Sequence, residues 1–375
     1  MTAPTMARPI VQVRDAERRD NDALKEIASA SPMAGDMTIA VTREPDFFQL
    51  NRLEGSRWRV GVAEADDRVV GCVMAAEREA YLHGVARQTL YAGDLKVHPT
   101  VRGAGVADAL SIWVRDTLAE LGGTEAPILL TILGGNRAME RRTSGRGGMP
   151  NFVRFATIRA FSIPLLLSRA LGPSAVRVAP ATKSDIEEMV ELWTHVAASR
   201  QLAPVFTADR FAEWVASAPG LDISDYRLAR DRSGRLVGFL AWWDQSRFKQ
   251  LRVLRYSPRL GVVRAGVNTV ARLTGGVSLP AVGEALRYRT AVHVCVREGS
   301  PAILRALVRS SCAELRAARY AFATIGLDIR DPLCVALDGL FAQPTDAHAH
   351  ICTAGGDYAG PSLSDRPLHY EIALV

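Results

Sequence analysis

The sequence predicts an α/β (α+β) chain built as two related halves in tandem, and three observations carry that reading. First, Val11-Gln12-Val13-Arg14-Asp15-Ala16 with Asp20 following recurs in register as Val176-Arg177-Val178-Ala179-Pro180-Ala181 with Asp185 following. Second, each copy leads into a hairpin pattern, Val60 to Met74 turning at Asp66-Asp67 and Leu228 to Ala241 turning at Arg232-Ser233-Gly234. Third, 375 residues with 48% hydrophobic and 23% charged residues suffice for two cores of ordinary globular size.

Taken in order, each half opens with a short strand and a helix. The Asp sits where its carboxylate can cap that helix, and apolar residues then recur at helical spacing, Leu24 and Ile27 in one copy, Met189 and Leu192 in the other. The second hairpin strands begin Arg68-Val69-Val70-Gly71 and Arg235-Leu236-Val237-Gly238. Gly172-Pro173 interrupts the pattern between Leu171 and Ser174, which divides the chain into residues 1–172 and 173–375.

From Thr89 the first half reads as strand, Gly-rich turn and helix. Leu90 and Ala92 lie on one alternation phase and Leu95 and Val97 on the other, so the inward face switches near Gly93-Asp94, as a β-bulge requires. Val106, Leu110, Trp113, Val114, Thr117 and Leu121 then share a helix face that Gly122-Gly123 ends. Between them, Arg102-Gly103-Ala104-Gly105-Val106-Ala107 offers close backbone approach, inward amides and a helix N-terminus, the requirements of a diphosphate site. Neither G-x-G-x-x-G nor a following G-K-[ST] is present, which weakens the dinucleotide and P-loop alternatives.

Arg102, Gly105 and Ala107 fit the pattern Q/R-x-x-G-x-G/A, and with the strand end Leu95-Lys96-Val97-His98-Pro99 the segment resembles the GCN5-related N-acetyltransferase (GNAT) superfamily. That resemblance implies, in each half, a mixed and mostly antiparallel twisted sheet flanked by helices. It implies acetyl-CoA or another acyl-CoA as cosubstrate, with Leu95, Lys96 and Val97 along the pantetheine arm and Arg102 to Ala107 around the pyrophosphate. Asn136, after the strand Ile128 to Leu133, falls where the family often contacts pantetheine; as an N-cap for the next helix it is equally well explained. Arg137, Arg141, Arg142 and Arg146 read as a solvated face before they read as a 3′-phosphate site.

Attack on a thioester needs a neutral amine, hence a route for its proton and a donor for the departing thiolate. Asp94, beside the bulge, is the first candidate for base or ammonium binding, and Tyr91 is the second catalytic candidate. Many relatives carry a tyrosine acid on the helix after Asn136, but here that segment reads Glu140-Arg141-Arg142-Thr143-Ser144-Gly145 and no acid is assigned. In Arg43-Glu44-Pro45-Asp46-Phe47-Phe48, where the fold builds its acceptor pocket, a charged and aromatic cluster could clamp a polar substrate, but the favoured reading puts the two phenylalanines in the core and pairs Arg43 with Asp46 at the surface. His348 and His350 share a strand face with Asp346 but lack a further ligand, so no metal is expected.

In the second half, Ala291 to Val296 takes the place of the bulged strand, followed by Arg297-Glu298-Gly299-Ser300-Pro301-Ala302 and a helix through Leu304, Leu307, Val308 and Leu315. Pro301 removes an amide donor and Glu298 adds negative charge, so this copy is expected to lack the pyrophosphate site. Tyr320 to Leu327 reads as the next strand and His369 to Val375 as a terminal strand, while residues 256–288 fit no element of the repeat.

The net charge of +6 forms no long basic block, so no nucleic-acid partner is expected, and no membrane partner, since the most apolar stretch, Phe161 to Leu171, is broken by Pro164 and Arg169. Five dispersed cysteines suggest neither disulfide framework nor zinc site, and a cytoplasmic chain follows as the expectation. The expected function is acyl-CoA-dependent N-acyl transfer from one site in the first half to a small-molecule or peptide amine, with a homodimer interface among the roles open to the second half. An acyl-CoA sensor without turnover is the alternative, and an aminoacyl-tRNA-dependent transferase is disfavoured by the intact loop.

Overall fold

A computed structural model describes residues 10–33, 35–165, 174–274, 277–340 and 343–375. In chain order the elements are β1 (Gln12–Asp15), α1 (Asn21–Ser29), β2 (Met37–Thr42), β3 (Arg57–Ala65), β4 (Arg68–Leu82), β5 (Val85–Val97), α2 (Val106–Gly122), β6 (Ile128–Leu133), α3 (Arg137–Arg142) and β7 (Val153–Pro164). They continue with β8 (Arg177–Pro180), α4 (Ile186–Ala197), α5 (Ala208–Ser217), β9 (Tyr226–Arg230), β10 (Leu236–Trp243), β11 (Gln250–Tyr256), α6 (Pro258–Thr274), β12 (Tyr288–Val296), α7 (Pro301–Ala317), β13 (Phe322–Asp328) and β14 (Gln343–Cys352). The junction at Leu171 to Ser174 lies, up to residue 173, outside the described residues.

Twelve strands form one sheet in the order β1-β3-β4-β5-β6-β14-β7-β13-β12-β10-β9-β8. Its pairs are antiparallel except β5–β6 and β12–β13, which are parallel and occupy matching places in the two halves. The last strand of each half crosses over: β7 pairs with β13 of the second half, and β14 inserts between β6 and β7 of the first. Helices cover both faces. Leu110, Val114 and Leu118 of α2 pack on Val73, Ala75 and Leu90, and α7 packs on β10, β12 and β13 through Leu304, Leu307 and Val308. On the other face lie α1 in the first half and α4 with α5 in the second.

The repeat extends to the helix starts. A 3-10 turn precedes α1 and another precedes α4, each closed by a capping box, Glu17 with Asp20 and Thr182 with Asp185. The aspartates therefore reach back to the amides of Glu17 and Thr182 and do not cap the α-helices themselves. One expected element is corrected: His369 to Val375 forms no strand but ends in a 3-10 turn at Ile372–Leu374, because it runs between the halves, where the Ala373 carbonyl accepts from Gln245 Nε2 at 2.7 Å and Lys249 Nζ at 3.2 Å instead of from a neighbouring strand. Leu368 N–H donates to Asp328 Oδ2 at 2.8 Å, and His369 N–H donates to the Gln201 carbonyl at 2.9 Å. The unplaced residues 256–288 contain α6 and a loop folded beneath it, next to the two-stranded sheet of β2 and β11.

Candidate active site

The site begins where β5 leaves β6. Parallel pairing runs through Leu90–Ile128, Tyr91–Leu129 and Ala92–Leu130 and then stops, while β5 stays paired with β4 as far as Val97. The divergence follows from the bulge that the phase switch indicated: the β4–β5 register shifts between Cys72 and Met74, and Asp94 takes φ 54°. From Gly93 to Val97 the backbone is laddered on one side only, and the edge facing β6 is open. Gly93 is required here, since a Cβ would lie 2.7 Å from the Tyr91 ring.

Beyond β5, Gly103 and Gly105 both take φ 86° and Gly105 caps α2. A Cβ on either would meet nothing within 4 Å, so the loop presents bare backbone to open space at the positive end of a 17-residue helix. Asp108 in the first turn of α2 is neutralised by Arg142, Nη1 to Oδ1 2.5 Å. Asn136 is exposed and accepts from Met139 N–H at 3.3 Å, capping α3.

Asp94 is held by more partners than sequence reading assigned it. Arg43 binds it in a fork, Nη1–Oδ2 2.7 Å and Nη2–Oδ1 2.9 Å, while Lys96 and Asn51 donate as well. Burial alone would raise its pKa, but Arg43 and Lys96 outweigh that and hold it far below the usual carboxylate range. A carboxylate so held stays charged near neutrality, as ammonium binding would require of it. The expected Arg43–Asp46 surface pair is corrected. Asp46 pairs with Arg52, whereas Arg43 is buried against the Phe47 ring, and Phe47 and Phe48 are in the core as expected.

Tyr91 is buried with the Arg78 guanidinium 4.0 Å above its ring, and burial raises its pKa well above the ordinary tyrosine value. Its hydroxyl faces that of Tyr370 at 3.5 Å. Tyr370 also hydrogen-bonds Thr131 Oγ1 at 2.6 Å, and Thr131 is the first β6 residue beyond the last β5–β6 pair. The Tyr370 hydroxyl therefore sits at the apex of the opening, kept protonated by burial. No local signal could have singled it out, because it lies 279 residues from Tyr91 in sequence.

Next to Tyr370, His369 Nε2 and Glu371 Oε1 are 2.8 Å apart, and Glu371 also accepts from His293 N–H at 2.9 Å. His293, at φ 52°, is the bulge residue of β12, the counterpart of Asp94. Its Nδ1 is hydrogen-bonded to the hydroxyl of buried Tyr226 at 2.7 Å, and burial lowers its pKa to about 4. These groups border a cleft of about 570 Å³ between the halves, with Glu77, Arg78 and Glu79 on one wall and Phe206, Trp214 and His293 on the other. His348 and His350 remain apart from it: Asp346 pairs with Arg159, and among the described residues no three His, Cys, Asp or Glu side chains converge on a metal position.

A parallel pair splayed at a bulge, followed by a bare-backbone loop at a helix start, defines a class of acyl-transferring enzymes. Residues 22–141 match the Acetyltransferase (GNAT) family, the superfamily that the loop and strand motifs resemble, and that segment supports an acyltransferase enzyme. No curated protein matches the sequence. Among solved structures, Saccharomyces cerevisiae N-myristoyltransferase with bound myristoyl-CoA superposes with a TM-score of 0.62 at 12% identity, over 93% of this chain and 83% of that one. GCN5-related N-acetyltransferases from Kribbella flavida (TM-score 0.53, 15% identity, 93% and 72% covered) and Sphaerobacter thermophilus (0.55, 14%, 92% and 96%) share the fold.

Proposed function

We propose that the protein transfers an acyl group, acetyl in the simplest case, from acyl-CoA bound in the first half to an amine held in the cleft between the halves. The observation that carries this reading is the open β5 edge from Gly93 to Val97, in line with the bare loop Arg102 to Ala107. Leu95, Lys96 and Val97 would pair with the pantetheine amides, and the α2 amides would take the pyrophosphate. Amine nitrogen attacks the thioester carbon, the carbon–sulfur bond breaks, and the Tyr370 hydroxyl protonates the leaving thiolate. The amine's proton passes to water or to the His369–Glu371 pair in the cleft wall.

A single donor site, in residues 1–172, is part of the proposal. The second opening, past Thr290–Thr324, is filled by the C-terminal segment, with Ile372 packed on Gly326 and a void of only about 10 Å³ left. Its loop begins α7 with Pro301, and Glu298 stands at φ 54° just before it. Residues 173–375 thus act as the wall of the acceptor cleft and the support of Tyr370.

Calorimetric titration with acetyl-CoA and a long-chain acyl-CoA tests the assignment. Gly105→Glu, placing a side chain and a like charge in the bare loop, should abolish binding, whereas Ser300→Glu in the second half should leave it unchanged. Equal losses would refute a single site. Binding without thiol release across an amine panel would turn the reading to a sensor.

A further inference from the structure

We propose that α6, with β11, is a docking face for an anionic lipid surface. The expectation of no membrane partner rested on the lack of a spanning segment, and no helix among the described residues is long and apolar enough to cross a bilayer. A helix that lies on a membrane needs something else: an outward apolar stripe, flanking cations and few carboxylates.

Helix α6 has two apolar faces. Leu260, Val267 and Ala271 point inward, over the loop that Asn268 holds through Leu279 (Nδ2 to carbonyl oxygen 3.0 Å, N–H to Oδ1 2.8 Å) and Arg264 holds through the Pro280 carbonyl. At 100° per residue, Val262, Val263, Gly266 and Leu273 fall together on the opposite side. They face solvent: Val262 is 76% and Leu273 83% exposed, in a molecule whose other helices bury their apolar stripes. Val282 and Leu254, also exposed, extend the patch on neighbouring segments.

Its charge decides what covers it. From Gln245 to Gly283 the sequence has seven cations, Arg247, Lys249, Arg252, Arg255, Arg259, Arg264 and Arg272, and no Asp or Glu. Lys249 is buried and Arg264 lies over the Tyr256 ring, but Arg247, Arg252, Arg255, Arg259 and Arg272 are exposed and none forms an ion pair among the described residues. Two copies meeting through this face would bring like charges together, which disfavours self-association. An exposed aliphatic stripe with unpaired arginines on the same elements matches a headgroup layer, where the valines enter the acyl boundary and each arginine near the surface strengthens partition roughly five-fold.

Vesicle flotation of the full chain tests this, with phosphatidylcholine alone and with added phosphatidylglycerol. Binding is expected to the anionic vesicles only, weakening as salt rises. Val262→Glu with Leu273→Glu should lower it at least roughly ten-fold, and Arg259→Gln with Arg272→Gln should weaken it and flatten its salt dependence. Both variants should keep the wild-type melting temperature, because the changed side chains face solvent. No flotation with either lipid, or equal flotation with both, would overturn the proposal. So would a light-scattering mass showing that the wild type is an oligomer which the glutamate variant splits. The proposal is independent of the acyl-transfer reading, since flotation requires no coenzyme.

Discussion

At the scale of single residues, the site separates groups fixed by charge from groups free to exchange protons. Asp94 is locked by Arg43 and Lys96, which hold it in its charged form at the bulge. Removing one partner would strand a buried charge, a cost of several kcal/mol in comparable pairs. Tyr370 is different: its hydroxyl faces the opening, and burial outweighs the pull of the Arg78 guanidinium and keeps it protonated. Tyr370→Phe should lower kcat by roughly ten- to a hundred-fold, leave KM for acyl-CoA unchanged and diminish the solvent isotope effect; an unchanged kcat would remove the residue from the chemistry. His293 leads to a stability prediction. Burial depresses its pKa to about 4 from the ordinary 6.5, so the unfolded chain binds the proton first as pH falls. The stabilisation is therefore complete above the unfolded value and is lost as pH drops toward the folded one, about 2 kcal/mol between pH 7 and pH 5. His293→Asn, which tolerates φ 52° and can accept from Tyr226, should flatten that slope in urea titrations at the two pH values. Asp94 was legible from sequence as the residue at a phase switch. Tyr370 was not, because only the folded chain brings residue 370 to the apex of the opening.

Single elements were readable wherever their periodicity was complete. Strand β5 and helix α2 follow from alternation, a phase break and a helical stripe, and β12 with α7 follow by analogy. What alternation could not supply is partnership. β14 carries alternating Ala347, Ala349 and Ile351, yet nothing local says that its neighbours are β6 and β7, strands from the other half. The final segment misled for the opposite reason, since its apolar residues are buried by a cleft and not by a ladder. For α2 the important contact is its seat on the sheet. A Cβ on Gly61 of β3 would lie 2.5 Å from Trp113, and one on Gly71 of β4 would lie 3.0 Å from Leu110 and Val106. These glycines let the helix settle close enough to bring its first amides level with the β5 edge. Gly61→Val should push α2 outward, costing about 1–3 kcal/mol in denaturant unfolding and weakening acyl-CoA binding by calorimetry. A variant that lost stability yet bound normally would show that the loop is placed by other contacts.

Over the whole molecule, the reciprocal exchange of β7 and β14 makes the two halves interdependent although their sequences read as tandem copies. β14 supplies ladder partners to both β6 and β7, and Asp346 on it holds Arg159 in a two-bond fork at 2.7 and 2.8 Å. The segment carrying Tyr370 is anchored through Gln201, Asp328 and Asp365, all from the second half. A fragment of residues 1–172 would keep the coenzyme loop but leave one edge of β6 and both edges of β7 unpaired and lack the tyrosine, and exposed edges recruit other chains. Expressed alone, residues 1–172 should therefore aggregate or show no thermal shift with acetyl-CoA. Expressed together with 173–375, the fragments should co-purify and recover the shift, because the pairing of β6, β14, β7 and β13 requires no covalent link across the division. Were 1–172 soluble alone and acetyl-CoA bound with the affinity of the full chain, β14 would be dispensable to the donor site, and the second half would serve the acceptor alone.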